Sequence, residues 1–259
     1  MSAETPIKTI TVALVLCVVF SFIVSTTAVV LKDKQDYNKE IDLKKNILLA
    51  AGLLKSKNVA AEIVEETFNK VEPLVVDLES GGKSELKPEQ VDIKNDVKYD
   101  AKSSKIDPGN DVAGLGRRPN DAVVYLVKEG GKTQQVIVPV VSKGLWSTMY
   151  GFLALDKDTN TVKGFGYYEQ GETPGLGGEV DNSSWKSQWI GKEIFNSNWE
   201  PVFKLKKGSV SEGETGAKYM VDGLSGATIT SEGVTTSIKY WLGKHGFGPF
   251  LEKVRKGEF

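Results

Sequence analysis

"AVVYLVKEGGKTQQVIVPVV", residues 122–141, contains two runs of β-forming residues joined by Glu-Gly-Gly-Lys. Valine, isoleucine and tyrosine favour strands, and a glycine turn between two such runs is typical of a β-hairpin. Residues 147–170 repeat the pattern, with Asp156–Asn160 as the turn. Two consecutive hairpins predict an antiparallel sheet. Helical patterns elsewhere in the chain predict that helices pack on it, which gives an α+β fold.

Helical spacing resumes after the hairpins. In residues 230–246, Val234, Ile238 and Trp241 fall on one face, and Gly243 is a stop signal. Residues 214–228 are predicted to form a strand and a turn that leads into this helix.

The chain before the hairpins divides into two parts. Residues 37–78 have helical spacing, with a joint at Lys57-Asn58 and an end marked by Pro73. Residues 79–121 are polar and rich in glycine and proline, which predicts an extended, loop-rich segment with short strands.

The N-terminus contains an uncharged, mostly apolar run, Ile10–Leu31, which is long enough to cross a membrane as a helix. A cleaved signal peptide is the alternative, with Thr26 and Ala28 at its cleavage site. We favour an uncleaved anchor because the apolar residues continue past that site. More lysines follow the run than precede it, so a simple positive-inside count would place the large domain in the cytoplasm.

The composition excludes several classes of function. Lys and Arg number 33 against 34 Asp and Glu, so no basic excess indicates a nucleic-acid partner. Cys17 and His245 are the sole residues of their types, which excludes a Cys/His metal site and a disulfide framework. A Ser–His–Asp triad would have to use His245, for which a structural or surface role is the favoured interpretation.

The most unusual stretch is "DGLSGATITS", residues 222–231, which has four hydroxyl residues and no neighbouring base. A turn that leads into a helix presents free amides and a partial positive charge, and Gly226 allows close approach of a phosphate. The alternative is helix capping by Thr230 or Ser231, with Ser225 in a turn. The spacing matches neither a Walker A loop nor a Rossmann fingerprint.

Two further stretches suit a flat ligand. In residues 166–182, Pro174 restricts the backbone, and Leu176 is flanked by glycines. The glycines have no side chains, so the backbone and Leu176 could lie against a flat ligand. A mobile surface turn is the alternative. In residues 142–156, an aromatic ring system could pack on Trp146, Met149 and Tyr150. Ordinary core packing is the alternative there.

Together, "GLWSTMYG", "GETPGLGG" and "DGLSGAT" resemble, in this order, the FMN-binding domain of the C subunit of the Na⁺-translocating NADH:quinone oxidoreductase. The N-terminal anchor and "NILLAAGL" are also similar to that subunit. The resemblance implies that Asp-x-x-Ser/Thr-Gly-Ala-Thr is a flavinylation motif. A dedicated transferase would split FAD and esterify the FMN phosphate to the last threonine, Thr228, so the hydroxyl needs no base of its own.

The same resemblance implies the remaining site residues. One covalent FMN is expected on Thr228, and no separate catalytic residue or metal is expected because flavin supplies the chemistry. The residues expected to form the recognition turn or to lie near the flavin are Asp222, Ser225, Gly226, Ala227, Glu172, Thr173, Gly175, Leu176, Gly177 and Trp146.

The resemblance also implies an organisation and partners. We expect a short tail (1–9), a transmembrane helix (10–31), a helical and loop-rich segment packed on the soluble domain (32–121) and an FMN-binding domain (122–259). The protein would be a single-pass protein of the bacterial inner membrane. Its soluble domain would be periplasmic, against the lysine count, and its partners would be the other subunits and the transferase.

The implied function is electron transfer without direct NADH binding, since no nucleotide fingerprint is present. Two alternatives remain open at this point. One is the G subunit of the related ferredoxin–NAD⁺ oxidoreductase, which is generally shorter. The other is a membrane-anchored periplasmic binding or assembly protein without a cofactor.

Overall fold

A computed structural model describes residues 5–259 of the chain, and these divide between Leu43 and Lys44 into two compact units. Helix α1 runs from Pro6 to Ala50. Within the described residues, it is the one helix long and apolar enough to cross a membrane, and its most apolar part is exposed. The predicted long apolar helix at the N-terminus is confirmed. Residues 1–4 of the predicted tail lie outside the described residues.

The second unit contains helices and strands in an α+β arrangement, as predicted. The helices after α1 are α2 (Ala61–Phe68), α3 (Ser183–Ser187), α4 (Thr228–Leu242) and α5 (Gly248–Arg255). The strands are β1 (Val71–Asp77), β2 (Ser103–Lys105), β3 (Arg117–Pro119), β4 (Asp121–Glu129), β5 (Lys132–Lys143), β6 (Thr148–Asp156), β7 (Val162–Glu169), β8 (Lys204–Lys206) and β9 (Met220–Asp222). Short 3₁₀ turns span Pro88–Gln90, Asp96–Lys98, Gly177–Asp181 and Ala217–Tyr219.

The main sheet is antiparallel and has the strand order β1-β4-β5-β6-β7. The two hairpins predicted from the sequence form its four consecutive strands. Its central strand, β5, is buried from Val136 to Ser142 because both faces of the sheet are covered. Two small pairs lie outside this sheet: β2 with β3 is antiparallel, and β8 with β9 is parallel.

Helix α4 packs on one face of the sheet. The indole N–H of Trp241 donates to the Val141 carbonyl at 2.9 Å. A Cβ at Gly233 would collide with the Lys143 carbonyl, so glycine is required where the helix meets the end of β5. This contact places the N-terminus of α4 beside the loop that follows β5.

The opposite face is covered by the C-terminal residues of α1 within the second unit and by α2. The alternation along β4 separates Val124 and Leu126, which belong to the main core, from Tyr125 and Val127 on the other side. Phe68 of α2 contacts Tyr125 edge-on, with ring centroids 6.2 Å apart.

The helical pattern predicted within residues 37–78, with Pro73 as its end, is wrong after Phe68, where α2 ends. Val71–Asp77 form β1 and pair with β4 along the whole strand, and Pro73 lies within that strand. Its run Leu74-Val75-Val76 is buried on both faces, a pattern that periodicity alone does not distinguish from a buried helix. Proline is tolerated there because β1 is an edge strand.

Candidate functional site

Three loops meet at the N-terminus of α4. We name them the β5–β6 loop (144–147), the glycine-rich loop (171–178) and the hydroxyl-rich turn (223–227). They correspond to the three sequence motifs. Two hairpin ends and a helix start bring them together, although they are separated by more than 20 residues in the chain.

Glu172 is the residue that joins these loops. Its side chain is buried, with only 6% of the residue exposed. Oε1 accepts hydrogen bonds from the Trp146 amide at 2.9 Å, the Ser147 amide at 2.9 Å and the Ser147 hydroxyl at 3.1 Å. Oε2 accepts from the Leu145 amide at 3.1 Å and from the Thr230 hydroxyl at 2.7 Å. One carboxylate therefore ties the β5–β6 loop to the first turn of α4.

These hydrogen bonds also determine the charge of Glu172. Burial by itself would raise the pKa of this carboxyl, but the bond from the Thr230 hydroxyl and those from the backbone amides outweigh it. The net effect holds the pKa of Glu172 below its usual range. Glu172 is consequently ionised at neutral pH and acts only as an acceptor.

Glycines allow the loops to pass close to this carboxylate. A Cβ at Gly177 would lie 2.7 Å from Oε2 of Glu172 and 2.8 Å from Oγ1 of Thr230. A Cβ at Gly144 would collide with the same carboxylate. Both glycines are required for packing around Glu172, whatever else the loops bind.

The hydroxyl-rich turn contacts the glycine-rich loop through Gly226. This residue has φ of +69°, which favours glycine, and a Cβ there would lie 2.8 Å from Cδ2 of Leu176. Thr173 is exposed, and its carbonyl accepts from the amides of Leu176 and Gly178 to close the loop. Gly175 lies in this loop with φ of +76°.

Asp222 lies at the other end of the turn and points toward the protein. Its carboxylate accepts from the Val210 amide at 2.7 Å and from Gln188 Nε2 at 3.1 Å. Its carbonyl accepts from the indole N–H of Trp185 at 2.8 Å. These bonds fix the start of the turn against the protein.

Helix α4 begins at Thr228, with Ala227 as a cap residue that makes no side-chain cap hydrogen bond. The predicted alternative, capping by Thr230 or Ser231, is wrong. Thr230 donates to Glu172, and Ser231 Oγ accepts from the Leu224 amide at 2.9 Å. Both hydroxyls are used for tertiary or local contacts inside the first turn rather than at its start.

The N-terminus of α4 is open. Across residues 5–259, no hydrogen bond is found from the amides of Thr228, Ile229 or Thr230, and the Thr228 hydroxyl has no partner either. Thr228 is exposed, whereas Thr230 is 1% exposed. Of these two threonines, Thr228 alone presents its hydroxyl to solvent, beside three free donors at the positive end of a helix.

Exposed apolar side chains lie on two of the three loops and on the first turn of α4. Trp146 is 73% exposed, and Leu176 of the glycine-rich loop and Ile229 beside Thr228 are also exposed. The motif residue Met149, in contrast, is fully buried in the main core, and Tyr150 is half-buried with the ammonium of Lys94 over its ring. Of the three residues predicted to pack against a ring system, Trp146 is therefore the one whose side chain is available to a ligand.

Leu145 of the β5–β6 loop is also exposed, and sequence reasoning missed both Leu145 and Ile229. Ile229 lies off the apolar helical face formed by Val234, Ile238 and Trp241, and this position in the sequence could have predicted that its side chain is exposed. The role of Thr230 had no local signal because its partner, Glu172, is 58 residues away.

Comparisons with known proteins agree with this geometry. A family model described as the FMN-binding domain matches residues 144–243, which contain all three loops. The chain is 44% identical to the C subunit of the Na⁺-translocating NADH-quinone reductase of Yersinia pestis, over 96% of this chain and 93% of that relative. It is 47% identical to the same subunit of Vibrio alginolyticus, over 97% and 96%. The chain belongs to this C-subunit family.

Solved structures of the C-subunit family have the same fold. The crystal structure of Shewanella oneidensis NqrC is similar with a TM-score of 0.76 and 35% identity, over 85% of this chain and 99% of that one. The structure of the C subunit from Parabacteroides distasonis gives a TM-score of 0.63 at 28% identity, over 85% and 96%. The family resemblance predicted from the motifs is confirmed.

Proposed function

We propose that this chain carries electrons through one FMN joined by a phosphoester bond to Thr228. Membership of the C-subunit family makes the chain a flavoprotein subunit of the Na⁺-translocating NADH-quinone reductase that works with the other subunits of that complex. The single observation that carries the finer proposal is the exposed Thr228 hydroxyl beside three free amides, with the neighbouring Thr230 buried.

The residues present fit FMN in two respects. A phosphodiester retains one negative charge, and the unpaired amides of Thr228, Ile229 and Thr230 at the helix N-terminus can donate to its oxygens. Trp146 and Leu176 offer apolar and aromatic surface for an isoalloxazine ring. Bound FMN supplies the reversible electron-accepting chemistry that the side chains lack.

The other predicted residues support this arrangement indirectly. Glu172 orients the loops, Gly177 lets them pass, and Asp222 anchors the turn through Val210 and Gln188. Gly226 and Ala227 form the end of the turn that leads into α4, and Ser225 is exposed in the same turn. We propose direct flavin contact for Thr173, Gly175, Leu176 and Trp146, and a positioning role for the rest.

Attachment needs a partner, because no basic side chain in the part of the chain that the structure describes hydrogen-bonds to the Thr228 hydroxyl. We propose that a flavin transferase supplies it. The Thr228 oxygen would form a bond to the FMN-side phosphorus of FAD, the bond to AMP would break, and the hydroxyl proton would pass to the transferase. The ester would hold the cofactor in every redox state, which suits a carrier.

Helix α1 supports the proposed location. Its residues 10–31 have the length and composition of a membrane span. We propose that it is an uncleaved anchor in the bacterial inner membrane, with the flavin domain on the periplasmic side where the transferase acts. The boundary between a segment at 32–121 and a flavin domain at 122–259 stays a prediction, and β1 already pairs with the later part.

The test is peptide mass spectrometry on the full-length chain expressed with a flavin transferase. The tryptic peptide Tyr219–Lys239 should carry one FMN minus water, and fragmentation should assign it to Thr228. The variant Thr228→Ala should carry none, while the matched variant Thr236→Ala, on the same helix but outside the three loops, should be modified like the wild type. FMN retained in Thr228→Ala would contradict the proposal.

A further inference from the structure

Two threonines in the first turn of α4 have opposite environments. An α-helix advances by about 100° per residue, so side chains two positions apart point in nearly opposite directions. When Thr230 faces Glu172, Thr228 must face away from it. The rotation of this first turn therefore decides which hydroxyl reaches a modifying enzyme.

We infer that Glu172 is a positioning residue that selects the modified hydroxyl. It holds Thr230 in a buried hydrogen bond and fixes the first turn of α4 with Thr228 facing outward. This inference rests on the proposed attachment of FMN to Thr228. It assigns a function to the glutamate of the glycine-rich motif that requires no contact with the flavin.

The geometry explains why a carboxylate occupies this position. Glu172 receives five donated hydrogen bonds from the β5–β6 loop and Thr230, and an ionised carboxylate is an acceptor at both oxygens. A glutamine would turn an NH₂ group toward one set of these donors. Replacing Glu172 by glutamine is consequently a small change in volume and a large change in hydrogen bonding.

The same carboxylate hydrogen-bonds to both the β5–β6 loop and the first turn of α4. Three consecutive amides of the β5–β6 loop, at residues 145–147, bind it while the Trp146 side chain points outward. Gly144 and Gly177 are the positions where a Cβ would strike it. The acceptor threonine and the exposed tryptophan are thereby held relative to each other by one group.

The experiment measures the rate of FMN incorporation into full-length chain in membranes after induction of the transferase. The modified and unmodified forms of peptide 219–239 are quantified over time. We expect Thr230→Val and Glu172→Gln to slow incorporation about ten- to thirtyfold, the effect of losing one buried hydrogen bond to a charged acceptor. Thr230→Ser keeps the hydroxyl and should restore a rate near that of the wild type.

A control variant separates positioning from general stability. Thr235 lies on the same helix, and its hydroxyl accepts from the Leu205 amide at 2.9 Å, away from the three loops. Thr235→Val should lower the melting temperature and leave the incorporation rate unchanged. Fragmentation provides a second readout: in Glu172→Gln, the released Thr230 hydroxyl should take up a measurable fraction of the FMN.

The outcomes are distinct. Wild-type rates in Thr230→Val and Glu172→Gln, with all FMN on Thr228, would overturn the inference. Equal slowing of Thr235→Val and Thr230→Val at equal loss of melting temperature would also overturn it. If Thr230→Val does not fold, the rate and site distribution of Glu172→Gln decide. An unmodified wild-type chain would instead refute the proposed function.

Discussion

The β6–β7 turn and the start of α4 both contain several hydroxyl side chains, but they differ in how their polar groups are hydrogen-bonded. In the β6–β7 turn, Asp158 accepts from the amides of Asn160 and Thr161 at 2.8 Å each and from the Thr161 hydroxyl. The buried Thr159 hydroxyl accepts from Arg255 at 3.0 Å. At the start of α4, by contrast, the Thr228 hydroxyl and the first three amides have no partner within residues 5–259.

The difference indicates which turn belongs to the fold and which to the function. The β6–β7 turn carries its own carboxylate, two or three residues from the donors that it binds. The start of α4 is held instead through Glu172, which binds Thr230, and through Asp222, which binds Val210. Its Thr228 hydroxyl and its first three amides stay unpaired within the described residues. A segment that is rigidly supported yet leaves donors unpaired is what a preorganised binding site requires.

The largest effect that would test this comparison is expected for Gly226→Ala. This change imposes a left-handed conformation on alanine and brings its Cβ within 2.8 Å of Cδ2 of Leu176, so backbone strain and overpacking together should cost about 2–4 kcal/mol in the free energy of unfolding. FMN incorporation should also fall sharply because the turn can no longer close on the glycine-rich loop. Denaturant unfolding and peptide mass spectrometry measure the two effects.

Gly191 provides the matched control. It has φ of +79°, a Cβ at this position would meet nothing within 4 Å, and the residue lies outside the three loops. Gly191→Ala should lose about 1 kcal/mol from backbone strain alone and keep normal FMN incorporation. Equal losses of incorporation in both variants would remove the distinction between the two positions.

A smaller effect should sharpen the comparison through acid unfolding of Glu172→Gln and Asp158→Asn. Against the effect of burial, hydrogen bonds lower the pKa of both carboxyls, chiefly from Thr230 at Glu172 and from Thr161 at Asp158. The folded state therefore binds fewer protons than the unfolded state, and each carboxylate stabilises the fold above its unfolded pKa. That stability is lost as the pH falls through the lower, folded pKa.

At neutral pH, Glu172→Gln should cost about 2 kcal/mol of unfolding free energy, because the lost acceptor was charged and buried. Asp158→Asn should cost less, because Asp158 is exposed. Both differences from the wild type should shrink below about pH 4, and Asp158→Asn should leave FMN incorporation unchanged. A stability difference that grows in acid would contradict the assigned direction of the pKa shifts.

The smallest effect on stability is expected for Trp146→Ala. Its side chain is exposed, so the free energy of unfolding should change by less than about 0.5 kcal/mol. If the ring covers the flavin, the absorption maximum and fluorescence yield of the attached FMN should change. Ile190→Ala removes an exposed apolar side chain outside the three loops and should alter neither property. Identical flavin spectra in the two variants would argue against contact with Trp146.

The sequence predicted the sheet better than its surroundings. The hairpins at 121–143 and 148–169 have strand-forming runs and glycine or aspartate turns, so local preferences and tertiary structure agree. The segment 71–77 was misread because a buried edge strand has no alternation. The strand predicted within residues 214–228 is present as β9, but no pattern predicted α5, β8 or the parallel pairing of β8 with β9, since short elements depend on tertiary contacts.

By itself, the sequence determined the family, the long apolar helix and the candidate acceptor Thr228, because these depend on local composition and on an ordered set of short motifs. The tertiary structure alone decided that the Thr230 hydroxyl is buried in a hydrogen bond and that Thr228 is exposed. That distinction depends on a hydrogen bond across 58 residues and on the rotation of one helical turn. Such contacts arise from packing α4 on β5, which is a property of the folded chain and not of any one segment.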